Sequence, residues 1–109
     1  MKPTILLRNN VIVNGAHFDE RVVRILHAAR DTAPELVDNI LWVTSANDGK
    51  HKEGSKHYTN EAFDIRIRNI RGPLVSQARG WRDRMRSALG KDYDVILEHD
   101  HLHAELDPK

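Results

Sequence analysis

Tyr93-Asp94-Val95-Ile96-Leu97-Glu98-His99-Asp100-His101-Leu102-His103-Ala104-Glu105-Leu106 is the stretch on which the architecture turns. Its apolar ends, Tyr93–Leu97 and Leu102–Leu106, have strand composition, and the polar residues between them suit the bend of an antiparallel hairpin. Along the second strand, period two places His101, His103 and Glu105 on one face and Leu102, Ala104 and Leu106 on the other. One face is fit for a core and the other for chemistry. Between Glu98 and His103 stand three of the seven histidines of the chain and two carboxylates. These are the groups that bind borderline metals and move protons near neutral pH.

Upstream of the hairpin, Gly72-Pro73 opens a helix with proline suited to its first turn, and Gly90 stops it. Its buried stripe is expected to be Leu74, Ala78, Trp81, Met85 and Ala88 or Leu89. Arg79, Arg82 and Arg86 share another face, expected to be solvated, with contact to an anionic polymer as the minority reading. Before this helix, Ala62–Arg68 alternates strictly: Phe63, Ile65 and Ile67 toward a core, Asp64, Arg66 and Arg68 away from it. A polar segment from Ala46 to Asn60 precedes that strand, and a loop this long in a small domain is more often functional than idle. Ile40-Leu41-Trp42-Val43 is a further short strand. An earlier helix is capped by Asp19, with Phe18 and Val23 at staple spacing. Phe18, Val22, Ile25, Leu26 and Ala29 form its apolar stripe, and it ends near Asp31-Thr32 ahead of Pro34. His27 near its C-terminal end is favoured there by the helix dipole and is read as structural. Ile5–Val13, ending at Asn14-Gly15, is a strand or short ribbon. The order predicts an α+β fold in which two main helices pack on a small antiparallel sheet, all within one domain, residues 1–109.

Bulk properties limit the function classes. At 109 residues with 39% hydrophobic and 30% charged residues, the chain suits one soluble globular domain. A net charge of +1 gives no reason to expect a nucleic-acid partner. With no cysteine there is no disulfide framework and no thiolate chemistry, so any metal site must use His, Asp and Glu. Ile5-Leu6-Leu7 is interrupted by Arg8, Asn9 and Asn10, which predicts neither signal peptide nor membrane insertion. A cytoplasmic monomer is the expectation.

A catalytic zinc takes three protein ligands and keeps a fourth position for water. His103 is the first candidate, His57 at the end of the polar segment the second, and Asp64 at the start of the alternating strand the third. The step of seven residues from His57 to Asp64 lets a loop present both to a common point. Two neutral nitrogens and one carboxylate would leave the ion net positive and able to acidify water. Asp100 or Glu98 stands within reach as general base. His101, on the same face as His103, could hydrogen-bond the oxyanion formed when water attacks a carbonyl.

Ser55-Lys56-His57-Tyr58-Thr59-Asn60-Glu61-Ala62-Phe63-Asp64 resembles the S-x-H-x-x-G-x-A-x-D motif of the zinc D-Ala-D-Ala metallopeptidases. Asp100-His101-Leu102-His103 resembles their D/E-x-x-H motif, whose H-x-H form is shared with lysostaphin-type peptidases and the hedgehog signalling domain. The near ends of the two motifs, Asp64 and Asp100, are 36 positions apart. Trp42-Val43-Thr44-Ser45 resembles the I-T-S strand end of the family, so the likeness spans about residues 36–107. It implies a hedgehog/D-Ala-D-Ala-peptidase-like zinc site with His57, Asp64 and His103 as ligands. Asp100 would be the catalytic carboxylate and His101 the histidine that steadies the transition state, while a hedgehog-like register would make Glu98 the base.

There are two departures from the family. Asn60 replaces the common glycine of the first motif, and asparagine tolerates the left-handed conformation best among other residues. Asn47-Asp48 occupies the region where many members carry a carbonyl-polarising arginine, leaving Lys50, Lys52 or Arg66 as substitutes. The resemblance implies a zinc-dependent hydrolase of peptidoglycan stem peptides, either an endolysin-like L-alanyl-D-glutamate endopeptidase or a D-Ala-D-Ala carboxypeptidase. Such an enzyme would be phage-encoded, cytoplasmic until released to the cell wall. The alternative is a non-catalytic zinc-containing binding module with a hedgehog-like site.

Overall fold

The computed structural model describes residues 1–9, 11, 20–46 and 62–107. In chain order these form β1 (Thr4–Leu7), α1 (Glu20–Thr32), β2 (Ile40–Ser45), β3 (Ala62–Arg66), α2 (Leu74–Leu89), β4 (Tyr93–Leu97) and β5 (His101–Leu106). The strands make one sheet in the order β1-β2-β3-β5-β4.

The class is α+β, but the sheet is mixed. From β2 to β4 every pairing is antiparallel, whereas β1 runs parallel to β2 with Thr4 opposite Ile40. Parallel neighbours require a long crossover, and the segment that contains α1 supplies it. No local feature of Ile5-Leu6-Leu7 specifies that partner, which is why the sequence alone suggests only a strand or ribbon. The proposed Asp19 cap, the Phe18 staple, the Asn14-Gly15 turn and the polar segment 47–60 lie outside the described residues.

Strand alternation divides the sheet into an apolar and a polar face. Leu41, Val43, Phe63, Ile65, Val95, Leu102 and Ala104 are at most 2% exposed and join one core with α1 and α2. Each of these side chains except Ala104 contributes about 1.5–3 kcal/mol through burial. The stripe of α2 is Ala78, Trp81, Met85 and Leu89; Leu74 and Ala88 are exposed. Leu74 is the first helical residue after Pro73, beyond the reach of the sheet-covering turns.

The helices close each other's ends. The last four carbonyls of a helix lack partners within it. Trp81 donates its indole N–H to Ala29 O at 3.0 Å, and Arg84 Nε donates to Thr32 O at 2.9 Å. In return Arg24 donates to Ala88 O at 2.9 Å near the end of α2. The expected solvated arginine face is also partly structural, because Arg86 Nε donates to Val95 O at 2.9 Å on the edge strand β4.

Candidate metal centre

The polar face opposite the helices carries the residues of interest, and sheet register brings them together. Asp64 on β3 is directly opposite His103 on β5, Arg66 is opposite His101, and Ala62 is opposite Glu105. A strand partner places side chains on one face about 5 Å apart, close enough for direct contact. His103 Nδ1 lies 2.9 Å from Asp64 Oδ1, and its Nε2 lies 2.8 Å from Glu105 Oε1. His101 Nδ1 is 2.6 Å from Asp100 Oδ1, while its Nε2 faces Asp64 Oδ1 at 3.6 Å. The site is therefore a chain of alternating carboxylates and imidazoles: Asp100, His101, Asp64, His103, Glu105.

Protonation follows from who can donate. An ionised carboxylate only accepts, so an imidazole between two of them holds a proton on each nitrogen. That is the situation of His103, whose pKa is raised to about 9, chiefly by its hydrogen bond to Asp64 and then by Glu105, against the opposing effect of burial. The hydrogen bond from His101 holds the Asp100 carboxyl below the usual aspartate value, with Arg68 adding to the effect. Asp100 is thus ionised near neutral pH, and the His101 Nδ1 proton points at it.

Asp64 and Glu105 together favour positive charge at His103. Two ligand atoms on a tetrahedral zinc stand about 3.3 Å apart, given bond lengths near 2.0–2.1 Å. The 2.9 Å separation of Asp64 Oδ1 and His103 Nδ1 is within a few tenths of that spacing. Occupation through Nδ1 would leave the Nε2–H donating to Glu105, the carboxylate–histidine arrangement that orients metal-binding imidazoles. Donor chemistry and spacing at Asp64 and His103 therefore fit zinc.

The remaining expected residues are distributed unevenly. His57, Ser55 and Lys50 lie outside the described residues, as does most of the first motif. Glu98 is exposed at the hairpin end, where its backbone N–H donates to His101 O at 2.9 Å. Arg66 reaches toward this site and stands over the Trp42 ring at 5.7 Å. A cleft of about 150 Å³ is lined by Arg66 together with Arg8, Thr44, Arg68, Asp100 and His101.

Glu105, Arg68 and Arg8 are the residues without an assigned role in the sequence reading. Glu105 shares the His101–His103 strand face and Arg68 the Asp64–Arg66 face, so period two could have nominated both. Arg8 follows β1, and only the parallel pairing brings it near. An acidic group that shares Glu105 with the carboxylate–imidazole chain, Asp94, Glu105 and Asp107, has carboxylate oxygens within 4.8 Å of one another. It lacks an imidazole, and its oxygen-only donors suit harder cations than zinc. Exposed acidic groups of this kind are common without an ion.

No protein-family model, curated protein or solved structure matches the chain.

Proposed function

We propose that this chain is a zinc-dependent peptidase that hydrolyses peptide bonds in peptidoglycan stem peptides. The observation that carries the reading is the registered approach of Asp64 Oδ1 and His103 Nδ1 on the face that also bears Asp100 and His101. The resemblance of residues 55–64 and 100–103 to the paired motifs of the zinc D-Ala-D-Ala metallopeptidases supports it. His57, Asp64 and His103 would hold the ion, and zinc in such a site supplies Lewis acidity, polarising a carbonyl and acidifying water.

The other functions fall to the chain. Asp100, ionised and exposed, accepts the proton of the attacking water and returns it to the leaving amine. The bond from His101 Nδ1 to Asp100 fixes the imidazole orientation. When the ring carries both protons, Nε2 donates to the oxygen of the carbonyl under attack. Glu105 keeps His103 from rotating by holding Nε2. Among the described residues no helix is long and apolar enough to cross a membrane. In this reading the protein is a lysis enzyme of phage type, made in the cytoplasm and released to the wall.

The test is product analysis on purified peptidoglycan. New amino groups should appear with the wild-type chain and be lost in His57→Ala, Asp64→Ala and Asp100→Ala, with zinc retained in Asp100→Ala. Mass spectrometry of the fragments then identifies the bond. Zinc binding with no new amino groups from the wild-type chain would favour the second reading, a zinc-containing binding module. That alternative draws on Asn47-Asp48 standing where many family members have an arginine.

A further inference from the structure

Three arginines line the cleft that Asp100 and His101 also line. Arg8 follows β1, Arg66 ends β3 and Arg68 lies two residues beyond it, yet all three line the same cleft. Like charges that share a cleft repel, and an added anion relieves that repulsion; the Asp100 carboxylate, which Arg68 helps to keep ionised, offsets at most one of the three. Elsewhere arginines are employed structurally: Arg24, Arg84 and Arg86 donate to backbone carbonyls, and Arg71 pairs with Glu35. Among the described residues the side chains of Arg8 and Arg68 make no hydrogen bond or ion pair. Among the described residues the Arg66 guanidinium has the face of the Trp42 ring as its one partner. Among the described residues Asp100 is the one carboxylate lining the cleft, and it is already engaged by His101 at 2.6 Å.

We propose that Arg8, Arg66 and Arg68 form a carboxylate-binding subsite in the cleft beside Asp100 and His101. A guanidinium presents a planar fork of N–H donors that matches a carboxylate in two parallel bonds. Stacking on Trp42 restrains Arg66 while leaving the N–H edges of its guanidinium to a ligand. The cleft holds about 150 Å³, the space of about five waters, which suits a carboxylate and a few waters rather than a ring system. Thr44, whose hydroxyl donates to Asp64 O at 3.4 Å, also lines the cleft.

Placed next to Asp100 and His101, the subsite selects a peptide with a carboxylate close to the bond being cut. That assignment to a substrate rests on the peptidase reading, whereas the preference for a carboxylate does not. The carboxylate comes either from a chain terminus or from an acidic side chain, and the two sources separate experimentally.

The experiment titrates the full chain, without and with zinc, and follows its NMR spectrum, including the arginine Nε–H signals. Three probes are used: acetyl-alanyl-alanine with a free terminal carboxylate, its amide, and acetyl-alanyl-glutamate amide with a free side-chain carboxylate. At least one carboxylate probe should bind about tenfold or more tightly than the neutral amide, shifting the Arg66 and Arg68 signals. Arg68→Gln and Arg66→Gln, each checked for an unchanged melting temperature, should lose that preference. Whichever carboxylate probe binds identifies the source. Equal binding of carboxylate and amide, or full preference retained in both variants, overturns the subsite. Because binding is read without turnover, preference for carboxylate in a chain that cleaves no peptidoglycan removes the peptidase reading and leaves the subsite standing.

Discussion

His103 Nδ1 lies 2.9 Å from Oδ1 of Asp64, its direct partner across the β3–β5 ladder. Two strands distant in sequence thus meet in a register that joins an imidazole to a carboxylate, with Glu105 on the other ring nitrogen at 2.8 Å. The arrangement favours a positive charge at His103, a proton in the absence of metal.

That proton predicts the pH dependence of stability. His103 has its pKa raised from 6.5 to about 9 in the folded chain. Its contribution is therefore fully present below pH 6.5 and disappears as pH rises through about 9. The loss is at most about 3 kcal/mol. Urea unfolding of the metal-free protein between these limits should show the decline, and His103→Asn should flatten it. Parallel curves for the two proteins would contradict the assignment.

In the proposed zinc site, metal and proton would compete for the same nitrogen. Zinc binding should release a proton from His103, and affinity should strengthen as pH approaches 9. Calorimetry in buffers of different ionisation enthalpy counts the proton directly. Asp64→Asn should weaken zinc binding by at least tenfold, because it removes the charge of one ligand and the partner of another.

Glu105→Gln isolates the orienting bond. Loss of a carboxylate behind a metal-binding histidine typically lowers affinity by about 10–100-fold. In the metal-free chain the same change should lower the His103 pKa, since Glu105 contributes to raising it. Nitrogen-15 NMR of the imidazole reads both effects. Unchanged zinc affinity and an unchanged titration would exclude the orienting role.

Away from the site, Trp81 is fully buried and its indole N–H occupies the otherwise open carbonyl of Ala29. Trp81→Phe removes this bond and leaves a small void, a loss of about 1–3 kcal/mol with zinc binding little changed. A melting curve with parallel zinc titration checks both parts.

The extent to which these features are legible in the sequence differs by element. The alternation of Ala62–Arg68 and of His101–Leu106 is local, so it reveals which residues share a face without any knowledge of pairing. Helix α2 is equally local, bounded by Pro73 and Gly90. The parallel partnership of β1 with β2 depends on a long crossover, and with it the approach of Arg8 to Asp100 and His101 is invisible until the sheet is assembled. Register belongs to the same class: that Asp64 is opposite His103, and not one residue away, is a property of two strands together. Glu105 lies between these cases, its face legible but its partner dependent on the folded chain.

The central claim is hydrolysis assisted by Asp100 in a zinc-loaded site, and the most direct measurement is amino-group release from purified peptidoglycan by zinc-loaded wild-type and Asp100→Ala chains. Steady release is expected from the wild-type chain, and a loss of about a hundredfold or more in Asp100→Ala despite equal bound zinc. Equal release by the two proteins, or none by the wild-type chain, would contradict it.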